Sequence, residues 1–280
     1  MKIRYRASAV AIVALFSIVS NSIAQPPYFD DSNNGSLGIE FLRPSFGIYS
    51  GAGSTSSYSI ITDVGFRISE RAKLLFEIPY TRSKFSSVDH GDTRQSALGN
   101  ILFGVRAGSL SSPAYFEGSM RLPTSPERKG SALINGMYTD ITRIDAFIQD
   151  WIIIKGIFGY RSLKESGLTG RFRLGPSFWL DSSNEDFSIG RDDSEFLFNY
   201  SGHLWYKGDN VGAGFGLSGL KVLTEDNLLF KGSSALILDC GMSFRSNRAE
   251  PGLFFHFPLT IDLDNMLDYV VSLDIEFHLN

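Results

Sequence analysis

The chain predicts an all-β fold: a transmembrane antiparallel up-and-down β-barrel of about twelve strands. Three observations carry that expectation: period-two alternation throughout, an export leader, and loops of two unequal lengths. The final segment shows the first. In YVVSLDIEFHLN, Tyr269, Val271, Leu273, Ile275, Phe277 and Leu279 are apolar, and Ser272, Asp274, Glu276 and His278 between them are polar. Side chains of a strand point to opposite faces in turn, so one face is apolar and the other wet. The run is about twice the usual strand length of roughly five or six residues, and near the roughly 9–11 that a tilted strand needs to cross a bilayer. In a soluble sandwich the apolar face would point inward. In a membrane barrel it meets lipid and the charges line the lumen.

The leader favours the second arrangement. Lys2, Arg4 and Arg6 precede AVAIVALFSIV, and Ser22-Ile23-Ala24 follows as a small-x-small site, the pattern of a cleavable signal peptide. The apolar run falls short of the roughly 20 residues of a spanning helix. The expected organisation is a signal peptide at 1–24, a periplasmic tail at 25–35 and the barrel at 36–280. Losing three basic residues takes the formal charge from −4 to −7, which argues against nucleic acid as a partner. The lone Cys240 rules out an intrachain disulfide. Glycine at 28 and phenylalanine at 23 of 280 residues suit short alternating strands of a closed barrel.

The elements follow in order. After the Gly-rich SLGIEFLRPSFGIYSGAGS, Ile60 to Ile68 alternate with Asp63, Gly65 and Arg67, and Leu74 to Tyr80 alternate around Glu77. Ile101 to Ala107 alternate around Asn100, Gly104 and Arg106. Phe116, Met120 and Leu122 alternate with Tyr115, Glu117, Ser119 and Arg121. Ile144, Ala146 and Ile148 alternate with Arg143, Asp145 and Gln149, and Ile152, Ile154 and Phe158 with Lys155 and Arg161. Phe196 to Tyr206 face away from Glu195, Asn199, Ser201 and His203, and Val211 to Leu217 away from Gly212, Gly214 and Gly216. Leu236 to Phe244 oppose Asp239, Ser243 and Arg245, and Leu253 to Leu259 oppose His256. Helical spacing explains none of these as well as period two.

SERAK, QDW, KGDN and SNRAEP are short connections, whereas 83–97, 123–137, 181–194 and 221–232 are long and polar. Short turns on one side and long loops on the other is the habit of bacterial barrels, which have an even strand number and both termini on the short-turn side. Counting inward from both ends, WIIIKGIFGYRS runs outward and EFLFNYSGHLWYK inward. FRLGPSFWLD is then not a crossing strand, and 162–194 reads as one long external excursion. The count is twelve, with ten or fourteen open. Tyr80, Tyr138, Trp151, Tyr160, Trp205, Tyr206 and Tyr269 suit interfacial girdles, or are aromatics favoured in strands generally.

EIPY (Glu77–Tyr80), LGNILFGVRAG (Leu98–Gly108), SMRLPTSPERKGS and YTDI resemble the exported barrels of the "MetA-pathway of phenol degradation" type, outer-membrane transporters. The resemblance covers roughly 36–150 and the terminal strands more loosely. The chain departs from it at Asn100, where the family has Asp, at Ser125, where it has Gly, and at Asn280 in place of an aromatic. The resemblance implies a Gram-negative outer-membrane barrel that transports small, often aromatic, compounds. Its partners would be outer-membrane lipid, the barrel-assembly machinery and a small-molecule solute.

Enzymatic chemistry is not expected. His203 in SGHLWY has no serine two residues on, as a membrane hydrolase would need, and His90, His256 and His278 are scattered. Asp192-Asp193 reads as solvated loop charge. No metal spacing or phosphate-cradling loop appears, and no cofactor is implied. Parity places Asp63, Arg67, Glu77, Arg106, Glu117, Arg121, Arg143, Asp145, Lys155, Arg161, Asp239, Arg245, Asp274 and Glu276 in the lumen. Two readings stand: a narrow porin-like conduit for small aromatic or hydrophobic solutes, or a salt-bridged plug inside a structural or surface-interaction barrel.

Overall fold

A computed structural model describes residues 35–46, 57–87, 91–108, 112–126, 130–164, 166–182, 194–224, 234–246, 248–260 and 267–279. The leader, most of the tail, His90 and Asp192-Asp193 lie outside them. The described strands are β1 (Gly35–Phe46), β2 (Tyr58–Ser69), β3 (Ala72–Ser87), β4 (Gly91–Leu98), β5 (Leu102–Ala107), β6 (Ala114–Arg121) and β7 (Trp151–Arg161). They continue as β8 (Gly167–Asp181), β9 (Ser194–Lys207), β10 (Val211–Val222), β11 (Ser234–Phe244), β12 (Ala249–Pro258) and β13 (Leu267–Leu279).

Each strand pairs antiparallel with the next, except that β4 and β5 both pair with β3, and β1 pairs with both β2 and β13, which closes the wall. Gly35 lies opposite Leu279, so the first and last strands begin and end together. β3 pairs along Tyr80–Ser87 with β4 and along Ala72–Glu77 with β5. β4 and β5 are therefore one crossing, broken at Gly99–Ile101, and the barrel has twelve crossings.

Twelve is the expected number, reached through two errors that cancel. Residues 143–149 form no strand, and FRLGPSFWLD is a full crossing within β8. In ITRIDAFI, Asp140 decides the matter. Its carboxylate accepts from the backbone N–H of Thr142 and Arg143 at 3.0 and 3.1 Å and starts a 3₁₀ segment, Ile141–Ala146, where apolar alternation had suggested a strand. Once a false strand was counted there, parity excluded a true one. Pro176 sits in β8 without harm because the β7–β8 pairing skips Gly175 and Pro176, where the proline N–H is missing. β7 consequently runs back toward the termini.

The wall is inside-out relative to a soluble protein. Phe66, Phe103 and Phe116 are 41–52% exposed, whereas Glu77, Arg121 and Glu276 are 1% exposed. Lipid stabilises such a surface and water does not. The wet face of YVVSLDIEFHLN is the lumen: Ser272, Asp274 and Glu276 are buried, and Leu273, Ile275 and Phe277 exposed. Tyr160, Tyr206 and Tyr269 stand on the outer surface as girdle residues would. Trp151 and Trp205 instead point inward and are buried, Trp151 edge-on to Trp179 and Trp205 stacked on Phe254.

The connection between β6 and β7, expected to include an external loop at 123–137, folds into the lumen. It carries helix α1 (Gly130–Thr139) and the 3₁₀ segment. Ile141, Ile144 and Ile148 pack against inward-facing Leu42, Ile61, Trp179, Leu197, Leu220 and Val270 from strands around the whole wall. Phe147 packs with Ala97, Ala132 and Leu133. These wall residues all lie toward the strand ends remote from the termini. That half of the lumen is consequently apolar and filled, and the charges occupy the half nearer the termini.

Candidate functional site

The in-folded segment meets the charged half through ion pairs. Arg143, delivered by the 3₁₀ segment rather than by a strand, pairs with Glu40 of β1 and with Asp140, and lies 3.9 Å from Glu77 and 4.0 Å from Asp63. Arg121 of β6 bonds Glu77 and Asp145, the latter at 2.5 Å, and donates to the Asn100 carbonyl at 2.9 Å. Lys155 of β7 reaches Asp145 at 2.6 Å. Burial alone would raise the Asp145 carboxyl, but Arg121 and Lys155 outweigh it and hold it at about 2. Charges this deep persist because each has a partner of opposite sign.

The break between β4 and β5 supplies a latch. Asn100 turns inward with no measurable exposure; its amide donates to the carbonyls of Asp145 at 3.1 Å and Ile148 at 2.5 Å, and its side-chain oxygen accepts from Ser125 N–H at 3.1 Å. Its backbone N–H donates to the Ala146 carbonyl at 2.7 Å. Thr124 clamps the other side of the break, its hydroxyl accepting from Ile101 N–H at 3.0 Å and donating to the Gly99 carbonyl at 2.8 Å. The LGN and LPTS stretches thus meet at the root of the in-folded segment. An amide suits Asn100 because two of its three side-chain partners are carbonyls, which an ionised Asp could not donate to.

Beneath the in-folded segment lies an open chamber lined by Asp63, Glu77, Arg106, Glu117, Arg121, Arg143 and Lys155, all expected in the lumen, and by Lys73 and Arg173. Glu117 pairs with Arg106 at 2.7 Å and with Arg173 across two strands. The Tyr115 ring has the guanidinium of Arg106 5.0 Å from its centroid and that of Arg161 at 5.7 Å, and its hydroxyl accepts from Arg171 at 3.2 Å.

The remaining expected residues fall elsewhere. Asp239 forms a separate group on β9–β12, accepting from Ser218 at 2.5 Å with His256 at 2.7 Å and His203 at 3.4 Å. The serine hydroxyl is spent on the carboxylate, and both histidines face that carboxylate rather than the serine, which is not the geometry of an activated nucleophile. Asp274 bonds Ser272, which also donates to Glu40 at 3.2 Å. Arg245 lies 3.6 Å from Glu250 near the termini. Glu276 is buried on β13, and Arg67 is exposed at the rim, bonded to the Ser69 carbonyl.

Glu40, Asp140 and Arg173 were missed as lumen groups. Alternation in GIEFLRP would have pointed to Glu40, and Arg173 was lost with its strand. Gly212, Gly214 and Gly216 could have hollowed the wall. They instead admit flat side chains: a Cβ on Gly214 would fall 1.8 Å from the Trp205 ring, and one on Gly216 2.0 Å from His203.

No protein-family model matches the chain, and no curated protein matches it in sequence. Solved structures do match in fold. An outer membrane channel from Pseudomonas putida F1 superposes with a TM-score of 0.60 at 11% identity, over 91% of this chain and 99% of the other. The translocator domain of the autotransporter NalP from Neisseria meningitidis gives 0.55 at 9% identity, over 99% and 98%. The NanC porin gives 0.53 at 8%, over 87% and 100%. At these identities the likeness is one of fold.

Proposed function

We propose that the protein stands in the outer membrane of a Gram-negative cell as a gated conduit for small solutes and carries out no covalent chemistry. The leader, the lipid-facing outer surface and the likeness in fold to an outer membrane channel and a porin support the location. On this reading the short turns and both termini face the periplasm, and the protein reaches the membrane through the barrel-assembly machinery. The observation that carries the conduit reading is the division of the lumen. A charge-lined chamber ends at a segment that, among the described residues, is bound to the wall by side chains, ion pairs and one backbone contact at Asn100, not by a strand ladder. Such a segment can shift while the twelve-stranded wall stays closed.

The rival is a structural barrel with a permanent plug. Conductance of the refolded protein in a planar lipid bilayer separates the two. Small, infrequent, salt-dependent steps are expected, and they should become more frequent when the latch at Asn100 is removed. An inserted but silent barrel that stays silent after the latch at Asn100 is removed would overturn the conduit.

A further inference from the structure

The described chamber lining carries six cationic side chains and three carboxylates, and the carboxylates of Glu40, Asp140 and Asp145 behind it pair with Arg143, Arg121 and Lys155. Several of these cations are bound in the pairs described above. Lys73 of β3 is placed differently. Its ammonium donates to the Ser36 hydroxyl at 3.1 Å, and among the described residues no carboxylate comes within ion-pair distance of it. Glu276 and Glu117 act on it only from farther away.

The side chain of Lys73 lies along the wall over Gly65 of β2, where a Cβ would fall 2.2 Å from its flexible Cε. On the same chamber surface Leu75, Leu102 and Ile157 present hydrocarbon. A cation beside an apolar patch, in a space open to water, matches a small molecule with a carboxylate at one end and an aromatic or aliphatic body at the other. Charged groups lining a pore select solutes by this kind of complementarity.

We infer that the chamber is a binding site for small organic monocarboxylates, with the carboxylate on Lys73 and the hydrocarbon on Leu75, Leu102 and Ile157. This rests on the conduit reading for its purpose and names the solute class the conduit would carry. The site should discriminate by charge among molecules of one shape. Calorimetric titration of the detergent-folded full chain with benzoate, benzyl alcohol and benzylamine tests this directly. Benzoate should bind saturably and at least about tenfold more tightly than either of the others, since a tenfold ratio corresponds to one well-placed charge contact. Lys73→Gln should remove most of that preference, and Lys73→Arg should retain it.

Equal binding of all three probes, no saturable benzoate binding, or a preference untouched by Lys73→Gln would overturn the inference. Should Lys73→Gln fail to fold, the three-probe comparison on the unaltered protein still decides. Benzoate binding by a barrel silent in bilayers would sink the conduit and spare the site. Conductance without benzoate preference would do the reverse.

Discussion

Asn100→Ala tests whether the in-folded segment is a separable, latched body. The side chain makes three buried hydrogen bonds, two donated to the carbonyls of Asp145 and Ile148 and one accepted from Ser125 N–H. Alanine leaves those three backbone groups without this partner, although Ile148 keeps a long contact at 3.5 Å from the Ser125 hydroxyl. Each orphaned buried group costs about 1–3 kcal/mol, so a loss of about 3 kcal/mol is a conservative sum. At about 1.4 kcal/mol per tenfold change, the segment's opening equilibrium should rise roughly 100-fold. Amide hydrogen exchange in detergent micelles reads this directly. Amides of 131–146 should exchange roughly 100-fold faster, while those of β9–β12, on the far side of the wall, stay unchanged. Wall amides accelerating together with the segment would show the two to be one cooperative unit. No change in either would show that Asn100 carries no load.

Two further outcomes follow from the same contacts. Gly216→Ala should reduce the yield of folded barrel in heat-modifiability assays, because the added methyl meets both the His203 ring at 2.0 Å and the Gly202 carbonyl at 2.7 Å, an overpacking cost of about 1–3 kcal/mol. Acid should loosen the in-folded segment through Asp145, whose carboxyl is depressed from an ordinary 3.8 to about 2. A depressed carboxyl stabilises above its unfolded value, and the stabilisation is lost as pH falls through the folded one. Segment protection should therefore fall between about pH 4 and pH 2, and Asp145→Asn should reduce that dependence, leaving the part carried by Asp140, which, despite burial, Arg143 holds below the ordinary carboxylate range.

Alternation made the wall legible. Ten of the twelve crossings stand on period-two runs read directly from the sequence, since a strand in a wall with one lipid face must alternate along its whole length. It failed where alternation has a second cause. In ITRIDAFI, Ile141, Ile144 and Ile148 reach the apolar wall and Arg143 and Asp145 the charged half, so a few neighbouring residues alternate in polarity without forming a strand. The local signal that separates the cases is Asp140, a capping carboxylate placed to hold Thr142 and Arg143 N–H. The lumen charges were legible as a set, since parity assigns a face. Their grouping was not, because pairs such as Arg143 with Glu40 span 103 residues of sequence.

The two halves of the lumen constrain how any conduit could open. Ile141, Ile144, Ile148, Phe147 and Leu133 are each at most 7% exposed. At about 1.5–3 kcal/mol per buried side chain, expelling all five would cost on the order of 10 kcal/mol before any ion pair is broken. A 10 kcal/mol gap leaves the fully expelled state populated at roughly one part in ten million. Full expulsion is therefore not a working state of the isolated barrel. The polar face is the part that can respond cheaply, because Arg143 and Arg121 each touch more than one carboxylate and can exchange partners without becoming unpaired. An anion seated on Lys73 would add negative charge to the chamber, which also draws on Arg121 and Arg143. It would weaken the hold of Arg121 on Asp145 while the hydrophobic root of the segment stays seated. Opening by exchange of ion-pair partners, with the isoleucines as a fixed hinge, is the motion this energy division permits, and it requires the conductance steps to become more frequent when a carboxylate is present.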